Sequence, residues 1–220
     1  MDTKPAKPLR ILGGAVDEET LRADLERYRQ MALDLGASGA VIIPASWVNI
    51  DERVRLKCTV PRCNRAGESP NCPPYAPDLD LVRRALARYS WAILLKCDVE
   101  IESHRPRHGK SSEEEPEVFN FHKSGNDIVA ALESRVFKDG YHLAMGFGGG
   151  SCVDYLCGGR PCQFLESGHC RHPYKSRPSL EAVGVDVLGL TARAGWPAYA
   201  MQDEAGSVPT AITVGLVLVY

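Results

Sequence analysis

Eight cysteines are the residues of this 220-residue chain best equipped to do chemistry: Cys58, Cys63, Cys72, Cys97, Cys152, Cys157, Cys162 and Cys170. Seven fall into two groups. The first runs Cys58-x4-Cys63-x8-Cys72 and continues as Pro73-Pro74-Tyr75-Ala76-Pro77. The second runs Cys152-x4-Cys157-x4-Cys162-x7-Cys170 and continues as Arg171-His172-Pro173. Thiolates select zinc, copper(I) or iron–sulfur clusters. Structural zinc sites usually draw two ligands from a tight Cys-x2-Cys turn, and neither group contains one. A cubane is larger than one ion, and four-residue gaps suit a chain that wraps it. Plant-type ferredoxins use a Cys-x4-Cys step, and bacterial ones place Pro directly after a ligand, as Cys72-Pro73 does. The expected cofactor is therefore an iron–sulfur cluster of the [4Fe-4S] type, one or two per chain, with zinc as the alternative. Convergence of the second group also requires loop, and Gly148 to Gly150, Gly158-Gly159, Pro161 and Gly168 oppose regular helix or strand there.

The second group has the four thiols of a saturated cluster, whereas the first has three. Cys97, after an apolar run, is the remote candidate for the fourth place; its alternative fate is an inert buried thiol. A three-cysteine cluster would leave one iron open, the property that separates catalytic from closed metal sites. Three function classes follow: an electron carrier serving a partner enzyme, an enzyme using an open iron as Lewis acid, and a zinc-stabilised interaction module. His169 and His172 flank Cys170 and are candidates to hydrogen-bond a sulfur or replace a ligand, with ordinary surface imidazole as the alternative. His122 beside Lys123 reads as a helix-cap or surface residue. Arg160, Arg171 and Arg177 near the cysteines are candidates to offset thiolate charge or receive an acidic partner, with ordinary surface arginine as the alternative. Gly146-x-Gly148-x-x-Ser151 lacks the third glycine of a dinucleotide loop, and a cysteine loop follows where a helix should begin.

The elements that must position these groups alternate in type. Helices are expected over Glu18 to Leu35, Asp78 to Tyr89 (Leu81, Ala85, Leu86 and Tyr89 on one face), Phe119 to Lys138 (Ile128, Leu132, Val136 and Phe137) and Ser179 to Thr191. Strands are expected over Ala40 to Ile43, Trp91 to Leu95, Tyr141 to Met145 and Ala211 to Tyr220, the last central in a sheet. Together they predict an α/β or α+β fold, one domain over residues 1–220, with a central sheet, flanking helices and two cysteine-rich metal-binding loops. Residues 102–117, with His104, Arg105, Arg107, His108 and Lys110 before Glu113 to Glu115, read as a polar surface loop.

Three segments carry a family resemblance. Asn71-Cys72-Pro73-Pro74-Tyr75-Ala76-Pro77, Cys170-Arg171-His172-Pro173, and Arg177-Pro178-Ser179-Leu180-Glu181-Ala182-Val183-Gly184-Val185-Asp186-Val187 resemble an uncharacterised bacterial and archaeal family of predicted metal-binding proteins, domain of unknown function 2284. The resemblance runs from about Cys58 to beyond Val187. It implies metal binding through Cys58, Cys63, Cys72, Cys152, Cys157, Cys162 and Cys170, and no settled reaction.

Bulk properties narrow the setting. Net charge is −2, hydrophobic residues make up 44% and charged residues 25%, so no global basic field favours nucleic acid or an anionic membrane. No apolar run approaches the ~20 residues of a transmembrane helix. Met1 to Leu12 is Lys- and Pro-rich without the apolar stretch of a signal peptide. The expected location is the reducing cytoplasm, where clustered cysteines bind metal rather than pair as disulfides. A redox partner protein is expected; nucleic acid and membrane insertion are not.

Overall fold

The structure is a computed structural model that describes residues 10–99, 122–200 and 208–220. The polar segment 102–117 lies outside the described residues. The fold is mixed α/β, built on one four-stranded antiparallel sheet. Its strands are β1 (Gly39–Pro44), β2 (Trp91–Val99), β3 (Met145–Phe147) and β4 (Ala211–Leu218), in the order β1-β2-β4-β3. β4 is interior, as its apolar run requires, and its six residues from Thr213 to Leu218 are buried.

Alternation along β2 sorts the core into two layers. Ile93, Leu95 and Cys97 face one side, where Leu21, Leu25 and Tyr28 of α1 (Glu18–Asp34) meet Ile128, Val129, Leu132 and Val136 of α4 (Lys123–Lys138). Ala92 and Leu94 face the other side, against Val82 and Leu86 of α3 (Leu79–Leu86), with Leu180, Val183, Val185 and Leu190 from later in the chain. α2 (Glu52–Leu56) is a single turn leading into the first cysteine group. Each large apolar side chain removed from water contributes about 1.5–3 kcal/mol, so a sheet covered on both faces supplies most of the stability. Two glycines let α4 sit close on the sheet. A Cβ at Gly146 would come within 2.6 Å of Val129, and one at Gly215 within 2.5 Å of the same side chain. Among the described residues, no helix is long and apolar enough to cross a membrane.

Several sequence expectations shift. The Asp17 and Asp78 carboxylates cap α1 and α3, accepting from Thr20 N–H and from Asp80 and Leu81 N–H respectively. The buried face of α3, however, is Val82 and Leu86, while Leu81 and Ala85 are exposed, because the helix docks one residue out of the expected phase. Phe137 is likewise exposed. β2 continues through Val99, so Cys97 lies within the strand rather than at its end. Tyr141 to Ala144 is a turn and β3 begins only at Met145, because the Tyr141 phenol is drawn away to donate to Asp24. The helix expected over 179–191 is broken. A 3-10 turn at Glu181–Val183 ends at Gly184 in the left-handed conformation, and α7 (Val187–Arg193) starts afresh from its cap Asp186. The second cysteine loop is not free of helix: short turns form at α5 (Cys152–Tyr155) and α6 (Gln163–Ser167), between the glycines that interrupt them.

Candidate metal centre

The second cysteine group is positioned from its ends. Asn126 on α4 donates to the carbonyls of His122 and Gly149, and its side chain leaves no room for a Cβ at Gly148. That grip presents Ser151, whose hydroxyl accepts from Val153 N–H and starts α5 at Cys152. Gly158 and Gly159, both with positive φ, turn the chain back after Cys157. Arg160 donates to the Cys157 carbonyl at 2.9 Å and Arg171 to the Pro161 carbonyl at 2.7 Å. Gly168, also left-handed, ends α6 and brings in Cys170, whose sulfur accepts from His172 N–H at 3.3 Å.

The result is a small pocket lined by all four of Cys152, Cys157, Cys162 and Cys170. His172 lines it too, and its Nε2 is buried without a hydrogen-bond partner. His169 instead has Nδ1 2.9 Å from the Ser167 carbonyl oxygen and is exposed. The buried Tyr155 hydroxyl also lacks a partner; burial above all, then the nearby Cys152, keeps the phenol protonated. Burial pushes the Cys157 thiol up, with Arg171 pulling the other way.

The first group lies against the second. Cys58 follows α2 by one turn, its N–H donating to the Arg55 carbonyl, and Cys63 N–H donates back to the Cys58 carbonyl at 3.1 Å. Cys72 is reached through the turn closed by its N–H to the Ser69 carbonyl. Asn71 Nδ2 donates to the Ser176 hydroxyl at 2.7 Å, and further contacts join the groups. The Cys72 sulfur is 3.6 Å from the Ser151 hydroxyl, Asn71 Nδ2 donates to the Cys152 sulfur at 3.4 Å, and Arg65 pairs with Asp154. Cys72 is buried beside the Ser69 hydroxyl, which has no well-formed hydrogen bond, whereas Cys63 is exposed. Burial pushes the Cys58 and Cys72 thiols up. All eight cysteines are free thiols.

Cys97 is placed elsewhere. It sits 4% exposed in the layer between the sheet and α4, opposite Thr213 in register, with Ser124 and Gly125 beside it. Burial pushes its thiol up as well. His122 stands at the N-cap position of α4, its Nδ1 2.8 Å from the Thr213 hydroxyl and its ring against Gly149 and Gly150. Sequence reading gave no role to Asn71, Asn126 or Ser151; Asn71 and Ser151 each adjoin a ligand candidate, whereas Asn126 left no signal.

Among the described residues, no three His, Cys, Asp or Glu side chains meet tightly enough for a single ion. A tetrahedral zinc site would need sulfurs about 3.8 Å apart, given Zn–S bonds of roughly 2.3 Å. Four thiols around one pocket, with partnerless polar atoms buried beside them, form a donor set that fits a thiolate-held group. The fold and this thiol-lined pocket are those of a cysteine-rich, predicted metal-binding protein. The chain belongs to the family described as predicted metal-binding protein (DUF2284), which it matches over residues 41–219, both cysteine groups included. No curated protein and no solved structure matches it.

Proposed function

We propose that this protein is a cytoplasmic iron–sulfur protein that carries electrons to or from a partner enzyme. One cluster would be held by Cys152, Cys157, Cys162 and Cys170, and a second by the group of Cys58, Cys63 and Cys72. The observation that carries the reading is the single pocket lined by all four thiols of the second group. When bound, such a cluster supplies one-electron exchange at a potential set by burial and hydrogen bonds to its sulfurs. The chain has groups for that tuning: Asn71 and the His172 N–H each donate to a ligand sulfur. Arg160, Arg171, Lys175 and Arg177 outnumber Asp154 and Glu166 over residues 151–178, although the whole chain is net negative, and so offset thiolate charge. Phe164, Leu165 and Tyr174 are exposed beside the pocket and suit the face of a docking partner.

The enzyme reading is favoured by one observation, the exposed Cys63 in a group of three thiols. Anaerobic purification with iron, sulfide and zinc analysis and a visible spectrum tests the cluster assignment. Iron and sulfide in equal amounts support it, and Cys157→Ser should then remove one cluster's worth of both. Zinc without sulfide, or full iron retention in Cys157→Ser, would sink it.

A further inference from the structure

Among the described residues, four buried side-chain nitrogen or oxygen atoms have no hydrogen-bond partner, and three of them stand beside the cysteine groups. Arg27 Nε, on α1, is the exception. Ser69 Oγ belongs to the turn whose carbonyl accepts from Cys72 N–H. The Tyr155 hydroxyl comes from the last residue of α5, three positions after Cys152 and so on the same side of that turn. Cys152 and Cys72 are the thiols whose charge reaches this phenol. His172 lines the four-thiol pocket itself, and its Nε2 is the third orphan. The imidazole is held from both sides. Its own N–H donates to the Cys170 sulfur at 3.3 Å, and its carbonyl accepts from Lys175 and Ser176 N–H at 3.1 and 2.9 Å. The Ser176 hydroxyl in turn accepts from Asn71 Nδ2 at 2.7 Å, the amide that also donates to the Cys152 sulfur at 3.4 Å. His172 is thus tied to ligand candidates at both ends of the second group. His169, on the other side of Cys170, is exposed, with its Nδ1 2.9 Å from the Ser167 carbonyl oxygen.

We propose that His172 Nε2 and the Tyr155 hydroxyl are hydrogen-bond donors to the thiolate-held metal group of Cys152, Cys157, Cys162 and Cys170, which they position and tune. The proposal rests on the reading that these four thiols hold metal, and it holds for either metal. A buried donor without an acceptor costs stability, so donors left unpaired beside four thiols point to an acceptor that arrives with the metal. A thiol sulfur is a weak acceptor. On metal binding each ligand cysteine releases its proton to solvent and becomes a thiolate, a much stronger one, and an iron–sulfur cluster adds its own sulfides. Tyr155 is only 6% exposed, so its bond forms away from competing water. Because both bonds exist only in the loaded protein, they add to metal affinity. In a redox-active cluster they also favour the more negative, reduced state and raise the midpoint potential.

The test compares wild type with Tyr155→Phe, which removes only the hydroxyl, His172→Leu, which removes the donor, and His172→Gln, whose amide restores one. Circular dichroism checks the fold, and Tyr155→Phe covers the case in which His172→Leu does not fold. Without metal, Tyr155→Phe and His172→Leu should unfold at or above the wild-type temperature, since each deletes a buried group that has no partner. Loaded without air, both should release metal to a chelator several-fold faster than wild type, and their iron-loaded forms should show a lower midpoint potential. His172→Gln should recover most of both properties. Release rates and potentials equal to wild type in folded variants would overturn the assignment. Equal destabilisation of the loaded and metal-free proteins would overturn it too, because it marks a packing role alone. Loss of a whole metal equivalent in both His172 variants would make the imidazole a ligand and end its role as donor. A wild type that takes up no metal would overturn the metal reading and this assignment with it. Uptake of zinc without sulfide would overturn the iron–sulfur reading alone, and the chelator rates would still decide for or against Tyr155 and His172.

Discussion

The Cys97 and Cys152 thiols are both buried, yet their surroundings assign them different work. Cys97 faces Ile93, Leu95 and Val129 in the helix-covered layer of the sheet, where a thiol behaves as a small apolar group. Cys152 opens onto the pocket and accepts from Asn71. Cys97→Ala should leave the metal content unchanged and lower stability by about 1 kcal/mol, the scale of one small buried group; metal analysis and a denaturant titration check both. Asn71 offers the converse case. An N–H aimed at a ligand sulfur favours the more negative, reduced cluster, so Asn71→Ala should lower the midpoint potential with no loss of iron. Spectroscopic redox titration reads that shift, and an unchanged potential would deny Asn71 a tuning role. The ligand candidates were legible from cysteine spacing because thiols are rare and chemically distinctive. Asn126 was not, since an asparagine in an amphipathic stretch gives no sign that it grips a glycine loop two elements away.

At the scale of elements, residues 177–187 bridge the segments leading into the two cysteine groups, with Gly148 N–H donating to the Pro178 carbonyl and Asp51 N–H to the Gly184 carbonyl, and two further features hold them in place. Gly184 adopts φ +82°, and a Cβ there would lie 2.8 Å from Leu79 Cδ2. Gly184→Ala should cost about 1–3 kcal/mol through strain and that clash, and should loosen the first cysteine group more than the second. Thermal unfolding measures the cost, and the rate of iron loss to a chelator measures the loosening. The second feature is the two-pronged pair of Arg177 with Glu133 on α4, at 2.7 and 2.9 Å. Side-chain exposures of 21% and 11% place it between surface and core. Arg177→Ala leaves Glu133 unpaired in that setting and should cost roughly 3 kcal/mol, the lower end for a buried pair. A double-mutant cycle with Glu133→Gln separates the pair energy from the cost of the orphaned carboxylate. The stretch that read as one helix over 179–191 does bury apolar residues, among them Leu180, Val183, Val185 and Leu190. They bury instead from a 3-10 turn and a separate helix, because Gly184 breaks the hydrogen-bond ladder between them.

Across the whole molecule, both core layers close without the seven grouped cysteines: the sheet, α1, α3 and α4 bury their apolar faces against one another. The cysteine segments, by contrast, are held by turns, two short helices and a few side-chain bonds. Metal removal should therefore spare the sheet and release the loops. Limited proteolysis of chelator-treated protein should cut within residues 58–76 and 157–176 first, while far-UV circular dichroism keeps most of its amplitude. A cooperative loss of the entire signal would show instead that folding of the core is linked to the metal.

The sequence by itself determined the elements whose signals are local. The 3.6-residue repeat of α1 and α4 and the apolar run of β4 each carry their meaning within a few residues. It determined the two thiol groups as well, since ligand chemistry is a property of residue type and spacing. Tertiary structure decided what depends on long-range approach. It set which phase of α3 faces the core, how far β2 extends to carry Cys97 inside, and how Asn71 and Cys72 come to lie against Cys152 and Ser151. The residues in those last contacts are 79–81 positions apart in the chain. No local periodicity encodes such a distance; it is set when both faces of one sheet are covered and the connecting loops are forced onto the same end.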